Sequence, residues 1–348
     1  MRKTPTKTPT KTLTRRGALF SGGAAVAVGI VAGHRSRAAA QGSAQGSAPV
    51  KVMVFPGLQN FPIYAAQHKG LFAKHGIAIE LLYTPNSRTQ REGLAKGDHQ
   101  IIQTAADNPV AMVEVAKADT IIVTGGDHGF NRIIVQPEIN ALAELRGKTV
   151  VVDAPNTAFA FLLYKALKDS GLNKGDYAVN PVGGTDQRFD AMTKDKNNAA
   201  GVMGLPFIFR ATAAGLKDMG PAHQSIGAYQ SDCVAVMRDW AKANSDTLVR
   251  YIKAIVEGRR WLLDSANKAE ATQVLVDQLK LSPEIAARSY AIVTDPATGM
   301  AKDAKFDMRG FQNVLKLRAE IEGQWGGNPP PPDRYVDLSY YDKALAGL

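Results

Sequence analysis

Short runs of β-branched and apolar residues alternate with helical patterns along most of this 348-residue chain. The runs that predict strands are 50–55, 77–83, 101–104, 120–124, 131–135, 149–152, 177–182, 199–203 and 233–237. The patterns that predict helices between them are 61–75, 88–96, 109–117, 157–170, 187–193 and 207–214. Such alternation is typical of parallel sheets covered by helices, so we expect an α/β fold.

The C-terminal third has a different pattern, which predicts helices over most of 240–317. Apolar residues there are spaced for one buried helical face: Leu248, Tyr251, Ile252, Ile255, Trp261 and Leu262. Ser282 and Pro283 predict a helix start, with serine as the cap and proline in the first turn. The four prolines at 329–332 predict an extended segment, which we interpret as a stiff tail on the surface.

Residues 1–40 have the three parts of an export signal. They contain no acidic residue, they place Arg15 and Arg16 before an apolar stretch at 17–33, and they end in three alanines at 38–40. Residues 14–20 resemble the twin-arginine export motif. The apolar stretch is short and holds five glycines, which disfavours an uncleaved membrane anchor. We therefore predict a cleaved twin-arginine signal peptide at 1–40 and a periplasmic mature protein.

Most of the basic excess of the chain lies in this leader. The whole chain has 42 Lys and Arg against 32 Asp and Glu, and eight of the basic residues are in 1–40, which leaves 34 against 32. A strongly basic chain would suggest a nucleic-acid partner, but the mature protein is near neutral. We therefore expect no nucleic-acid partner.

The sequence offers few candidates for catalysis or metal binding. Its single cysteine, Cys233, lies in a run that predicts a buried strand, so we interpret it as a small core residue. Two histidines seven residues apart, His68 and His75, fall on one predicted helix, but no third metal ligand is evident nearby. His-Glu-x-x-His, Gly-x-Ser-x-Gly and phosphate-loop motifs are absent from the sequence. We predict no catalytic residue, no metal and no cofactor.

Small and polar residues cluster where predicted strands end and helices begin. These junctions are 57–60, 104–108, 125–128, 153–157 and 183–187. Ligands of open α/β sheets bind outside the carboxyl ends of the strands, so a binding site is expected there. Asn156, Thr157 and Thr185 can also cap the helices that follow, which is the simpler reading of any single junction.

Three segments resemble one family. Residues 62–77 read Pro-Ile-Tyr-Ala-Ala-Gln-His-Lys-Gly-Leu-Phe-Ala-Lys-His-Gly-Ile, residues 145–152 read Leu-Arg-Gly-Lys-Thr-Val-Val-Val, and residues 201–207 read Gly-Val-Met-Gly-Leu-Pro-Phe. They are similar to the first helix, the second-lobe entry and a strand ending in proline of the periplasmic substrate-binding proteins for nitrate, alkanesulfonates, taurine and thiamine precursors. The likeness covers nearly all of 50–325.

The resemblance implies a type II periplasmic binding-protein fold, with two α/β lobes, two crossing hinge segments and a helical C-terminal part. Lobe 1 would comprise 50–132 and 236–348, and lobe 2 would comprise 133–235. The crossings would fall near 132–136 and 231–237. Closure of the lobes by hinge motion would bury the ligand.

By position, the ligand contacts of the family map onto strand-to-helix junctions of this chain. The residues that they imply are Gln59, Asn60, Asp107, Asp127, Asn156, Thr157, Phe159, Thr185, Asp186 and Phe207. Phe55 would add a further apolar wall, whereas Phe161 would pack inward. Arg132 and Arg188 could neutralise an anion, but we interpret each as a solvated surface charge.

The resemblance further implies a monomeric solute-binding component of an ABC importer, which delivers a small organic molecule to a permease in the inner membrane. An anionic, sulfonate- or carboxylate-like solute is expected from the family. Because the implied contacts include three carboxylates and the second-lobe helix lacks the usual serine pair, a cationic or hydroxyl-rich ligand or an aromatic acid stays open. An enzyme on the same scaffold and a periplasmic ligand sensor are the alternatives.

Overall fold

The computed structural model describes residues 48–296 and 298–348. The predicted signal peptide at 1–40 lies outside these residues. Within them, none of the helices combines the length and the apolar character needed to cross a membrane.

Strands and helices alternate through the first two thirds of the described chain, as predicted. The strands are β1 Val50–Val54, β2 Ile79–Tyr83, β3 Ile101–Ala105, β4 Thr120–Thr124, β5 Arg132–Val135, β6 Thr149–Val152, β7 Ala178–Pro181, β8 Asn198–Met203, β9 Lys217–Pro221 and β10 Asp232–Met237. The α-helices up to β10 are α1 Phe61–His68, α2 Leu71–Lys74, α3 Ser87–Lys96, α4 Asp107–Glu114, α5 Ala158–Asp169, α6 Thr185–Lys194 and α7 Phe207–Ala213. Those after it are α8 Arg238–Ala243, α9 Ser245–Leu263, α10 Lys268–Leu279, α11 Pro283–Val293, α12 Met308–Glu322 and α13 Ser339–Ala346.

The strands form two five-stranded sheets. The first sheet has the order β2-β1-β3-β10-β4, and the second has the order β7-β6-β8-β5-β9. In the first sheet β1 is parallel to β2 and β3, whereas β10 is antiparallel to β3 and β4. In the second sheet β6 is parallel to β7 and β8, whereas β5 is antiparallel to β8 and β9. The α/β prediction is confirmed.

Two segments join the sheets, and each leads into an antiparallel strand. The chain leaves the first sheet after β4 and enters the second at β5, so residues 125–131 make the first crossing. It returns between β9 and β10, so residues 222–231 make the second. The stretches predicted as crossings, 132–136 and 231–237, are mostly the strands β5 and β10, because apolar runs continue into the sheet after each crossing.

The helix predicted over 61–75 is divided by a glycine. Gly70 has a φ of 67°, a left-handed conformation that a glycine adopts without steric cost. Helix α1 ends before it and the short α2 begins after it. His68 is therefore the last residue of α1, whereas His75 directly follows the end of α2.

Strand β9 was not predicted from the sequence. It reads Lys-Asp-Met-Gly-Pro and forms one edge of the second sheet. Charged residues, glycine and proline are depleted from inner strands, and edge strands tolerate them because one side of the backbone is unpaired. The composition of this edge strand hid it from the sequence analysis.

The C-terminal helices pack mainly on the first sheet and its helices. Helix α9 buries Leu248, Tyr251 and Ile252, as the apolar spacing predicted. At Gly258 a Cβ atom would lie 2.6 Å from the carbonyl oxygen of Pro62, so α9 approaches α1 too closely for a side chain. The predicted start of α11 is confirmed, because the Ser282 hydroxyl accepts the Ile285 N–H at 3.3 Å.

The tail after the prolines is tied to the first sheet. Pro331 has the extended conformation that the sequence predicted, with φ −62° and ψ 147°, whereas Pro332 begins a short 3₁₀ helix, Pro332–Arg334. Beyond it, the Ile122 N–H donates to the carbonyl of Tyr335 at 2.8 Å, and Asp337 N–H donates to the carbonyl of Ile122 at 2.9 Å. Tyr335 is fully buried, so the tail end is part of the packed body.

Candidate functional site

A cavity lies between the two sheets. On one side it is lined by Phe55 and Ala105, which stand at the ends of the parallel strands β1 and β3. On the other side it is lined by Asp153 and Gly204, which follow β6 and β8. Asp232 joins the first group because β10 runs antiparallel and therefore starts at the same edge.

Half of the predicted site residues line this cavity. They are Gln59, Asp127, Thr157, Phe159 and Thr185. The tendency of ligands to bind outside the carboxyl ends of strands therefore pointed to the edge of both sheets where this cavity lies. Contact of these side chains with a solute stays a prediction.

Three other predicted residues, Asn60, Asp186 and Phe207, are outside the lining. The Asn60 amide donates to the carbonyl of Phe55 at 2.7 Å and holds the turn after β1. Phe207 packs against Phe189 with ring centroids 6.4 Å apart. Asp186 is partly exposed in the first turn of α6.

The last two, Asp107 and Asn156, face a buried arginine of α12. The Arg318 side chain is 0% exposed; its Nη1 lies 3.4 Å from Asp107 Oδ2, and Nη1 and Nη2 donate to Asn156 Oδ1 at 2.9 and 2.5 Å. Its guanidinium also lies 5.1 Å from the centre of the Phe161 ring. Burial raises the pKa of the Asp107 carboxyl, and the charges of Arg318 and Arg91 oppose that shift. Asp107 and Asn156 therefore hold helix α12 in place through Arg318.

Arg188 lines the cavity and is 2% exposed, so its interpretation as a solvated surface charge is wrong. Its guanidinium donates to the carbonyls of Val202 at 2.9 Å and Gly183 at 2.6 Å and to the hydroxyl of Thr185 at 2.9 Å. Burial lowers its pKa to about 10, while the nearby charges of Asp153 and Asp186 raise it. Its position on a predicted helix just after a glycine pair was the one signal for a buried role. Arg132, by contrast, is half-exposed and pairs with Asp218.

Two buried carboxyl groups face the cavity from the first sheet. Asp127 is 4% exposed and accepts the Gly129 N–H at 2.8 Å, and Asp232 is 7% exposed and accepts a donor from Gln103 at 2.6 Å. Burial raises the pKa of both carboxyls, and the charge of Asp127 raises that of Asp232 further. At Gly126 a Cβ atom would lie 2.6 Å from the Asp232 carbonyl oxygen, so the loop after β4 needs glycine to lie against β10. Asp232 was not among the site residues predicted from the sequence.

Aromatic rings form the apolar part of the lining: Phe55, Phe130 and Phe159. Phe159 lies in the first turn of α5, and the Arg188 guanidinium carbon is 5.5 Å from the centre of its ring. Phe161, two residues further on, is 1% exposed and packs inward, as predicted. The cavity therefore combines flat apolar walls with a few polar groups, the usual composition of a small-molecule site.

Direct hydrogen bonds join the two lobes at the edge of the cavity. The Gly184 N–H donates to the carbonyl of Pro85 at 2.9 Å, and the Leu58 N–H donates to that of Leu205 at 3.2 Å. The Ser87 N–H and hydroxyl both donate to the carboxylate of Asp153. Each bond connects a residue on the side of the first sheet to one on the side of the second, so the lobes are in contact around the cavity.

The predicted histidine pair has other partners. His68 Nε2 lies 2.7 Å from Glu270, and His75 Nε2 lies 3.3 Å from Glu257. Over 48–296 and 298–348 the side chains contain no group of three His, Cys, Asp or Glu placed to hold a metal ion. His128, next to Asp127, is half-exposed and lies 3.7 Å from Asp307.

Two α/β lobes that enclose a cavity at facing strand ends, with two crossing segments between them, define a two-lobed binding fold. A family model described as NMT1/THI5 like matches residues 58–269. This match spans more than half of the chain, and the chain belongs to the NMT1/THI5-like family. No curated protein sequence matches it.

Solved structures share the whole fold at low sequence identity. The ligand-binding component of an ABC-type import system from Staphylococcus aureus is 16% identical with a TM-score of 0.71, over 86% of this chain and 99% of that one. The periplasmic nitrate-binding protein NrtA from Synechocystis PCC 6803 is 15% identical with a TM-score of 0.71, over 86% and 89%. The desulfurization enzyme DSZB is 12% identical with a TM-score of 0.58, over 86% and 99%. These likenesses show the fold, and the predicted type II binding-protein fold is confirmed.

Proposed function

We propose that this chain is the solute-binding component of an ABC importer, which is exported to the periplasm and passes a small organic solute to a membrane permease. The observation that carries the proposal is the cavity between the lobes, whose edge is joined by direct hydrogen bonds. In the proposed cycle a solute enters when the lobes separate, and the bonds at the edge form again when the lobes close around it. Binding and closure are therefore coupled, as a carrier that holds and releases its solute requires.

The leader and the fold relatives support the location and the partner. The basic start, twin arginines and small residues at 38–40 support export of the chain through the twin-arginine route. Neighbours with the same fold include the ligand-binding component of an ABC-type import system, which supports a permease as the partner. We propose that the mature protein acts as a monomer, with one solute per cavity.

We propose binding without catalysis, although DSZB shows that the fold also supports an enzyme. Cys233 is 0% exposed on β10 and does not line the cavity. Burial raises the pKa of its thiol well above the usual range, which disfavours the thiolate that a nucleophile requires. The polar side chains that line the cavity hold one another and the backbone, as in a site that recognises a solute.

A thermal-shift screen of the mature protein tests this proposal. The compounds are small sulfonates, carboxylates, pyrimidines and amines, and each solution is analysed by mass spectrometry after incubation. A bound solute raises the Tm, because it binds the folded state alone; a concentration 100-fold above Kd stabilises by about 2.7 kcal/mol. We expect a rise for one chemical class and recovery of the compound unchanged. Turnover of a compound, or the absence of any rise, would contradict the proposal.

A further inference from the structure

The charges of the cavity lining bear on the chemistry of the solute. Among the residues that the structure describes, the lining holds three carboxyl groups, from Asp127, Asp153 and Asp232, and one guanidinium, from Arg188. An anionic solute would enter a site in which acidic groups already outnumber basic ones. Placing like charges close together in a poorly solvated site is unfavourable.

The charges on the side of the second sheet already have partners. Arg188 has donors engaged with two carbonyls and the Thr185 hydroxyl, and Asp153 lies close enough to influence its charge. The Asp153 carboxylate accepts two donors from Ser87 across the edge of the cavity. Asp153 and Arg188 thus carry opposite charges there, Arg91 and Asp186 add one further charge of each sign nearby, and the polar bonds of Asp153 and Arg188 serve the protein itself.

When both of its acids are ionised, the side of the first sheet has an excess of one negative charge. Asp127 and Asp232 are more than nine-tenths buried, and each influences the ionisation of the other. The guanidinium that acts on both belongs to Arg259, which lies outside the lining and donates to the carbonyls of Gly126 at 2.6 Å and Ala301 at 3.1 Å. Two carboxylates against one guanidinium leave a net charge of −1 when both acids are ionised.

We infer that the solute is an organic monocation, such as an amine or amidinium on a small apolar body, whose charged group is held by Asp127 and Asp232. This inference rests on the proposed solute-binding function. One positive charge on the solute balances the excess on the side of the first sheet. Its N–H groups donate to carboxylate oxygens that face the cavity, and its body lies between Phe55, Phe130 and Phe159.

Matched compounds test the inference. Three carbon bodies (phenyl, benzyl and butyl) each carry a cationic, a neutral or an anionic head; the phenyl set is benzamidine, benzamide and benzoate. The Tm of the mature protein and, by calorimetry, the Kd are measured for each. We expect a cationic member to bind and its anionic counterpart not to bind. Tighter binding of an anionic or neutral member would contradict the inference of a cationic solute but leave the solute-binding function standing. If no member of this set or of the wider screen binds, both the inference and the proposed function are contradicted.

Single carboxyl replacements locate the charge. Asp232→Asn keeps the size of the side chain and removes its charge, and we expect it to weaken binding of the cationic probe by about 10- to 100-fold, the usual range for a charge-assisted hydrogen bond. Asp127→Asn is the second variant and should act in the same direction. Asp239→Asn is the matched control, because that side chain is 95% exposed and follows the end of β10 opposite to Asp232. Unchanged affinity in both cavity variants would overturn the assignment.

Discussion

At the scale of single residues, the cavity is built from groups that are unfavourable to bury. The carboxyls of Asp127 and Asp232 lose most of their hydration in the folded protein, and burial raises the pKa of each. Gln103 and the Gly129 N–H compensate only part of that loss. Sites that recognise a ligand commonly lower the stability of the free protein in this way.

The unfavourable burial of the ionised Asp232 carboxylate predicts that Asp232→Asn changes the stability of the protein in a pH-dependent way. Because the folded-state pKa of Asp232 is raised by burial and by Asp127, and lowered only in part by Arg259 and Gln103, the folded protein binds this proton more tightly than the unfolded chain. The stability that this proton contributes is lost as the pH rises from about 4 through the folded-state pKa. The asparagine variant avoids that loss, so its Tm should exceed that of the wild type at pH 8, by about 2–4 °C per kcal/mol relieved.

The measurement is a thermal unfolding series from pH 4 to pH 8 without solute. The difference between variant and wild type should be small at pH 4 and grow with pH. Asp239→Asn provides the control for the change in net charge, and it should show no such trend. A variant less stable than the wild type at pH 8, or a difference that does not vary with pH, would contradict this account.

At the scale of elements, helix α12 connects the two lobes. Arg318, near its middle, faces Asp107 at the start of α4 and Asn156 just before α5. Further along α12, Glu322 accepts from Asn156 at 3.1 Å and lies 3.2 Å from Lys174. One helix therefore contacts the strand-end regions of both sheets, next to the cavity but outside its lining.

Removal of the buried guanidinium should be strongly destabilising. Arg318→Met removes the guanidinium that lies 3.4 Å from the buried Asp107 carboxylate and leaves only the charge of Arg91 to oppose its burial; loss of a buried partner costs about 3–5 kcal/mol in comparable sites. Adding Asp107→Asn removes that carboxylate charge, so the double variant should recover part of the loss. Urea unfolding gives the free energies, and Lys316→Met on the exposed face of α12 serves as the control. A loss below about 1 kcal/mol, or no recovery in the double variant, would show that the pair does not hold the helix.

The elements also show what local sequence can predict. All described strands except β9, and the cap at Ser282, were predicted because a β-branched run or a capping pair acts within a few residues. Gln59 and Asp127 were placed at the cavity because the tendency of ligands to bind outside the carboxyl ends of strands requires only the order of elements. The role of Asp107 could not be predicted, since its partner Arg318 lies 211 positions away. The burial of Arg188 likewise depends on carbonyls that only the folded sheet brings to it.

At the scale of the whole molecule, two lobes meet around an enclosed cavity. The lobe boundaries predicted from the sequence stay predictions, while the two crossing segments, 125–131 and 222–231, connect the sheets in the structure. Three sets of hydrogen bonds join the lobes at the edge of the cavity, through Pro85, Ser87 and Leu58 on one side. Separation of the lobes would break these bonds, and the proposed binding cycle requires them to form again when the lobes close around a solute.

The distance between the lobes tests the central claim most directly. Thr89→Cys on α3 and Lys194→Cys on α6 place two exposed labels on opposite sides of the cavity, and the native Cys233 is buried and should not react. Fluorescence energy transfer is then measured without solute and with the compound that gives the largest thermal shift. We predict a longer and broader distance distribution in the free protein, and a single shorter distance at saturation. A distribution that the bound solute leaves unchanged would contradict a clamp that closes on its ligand.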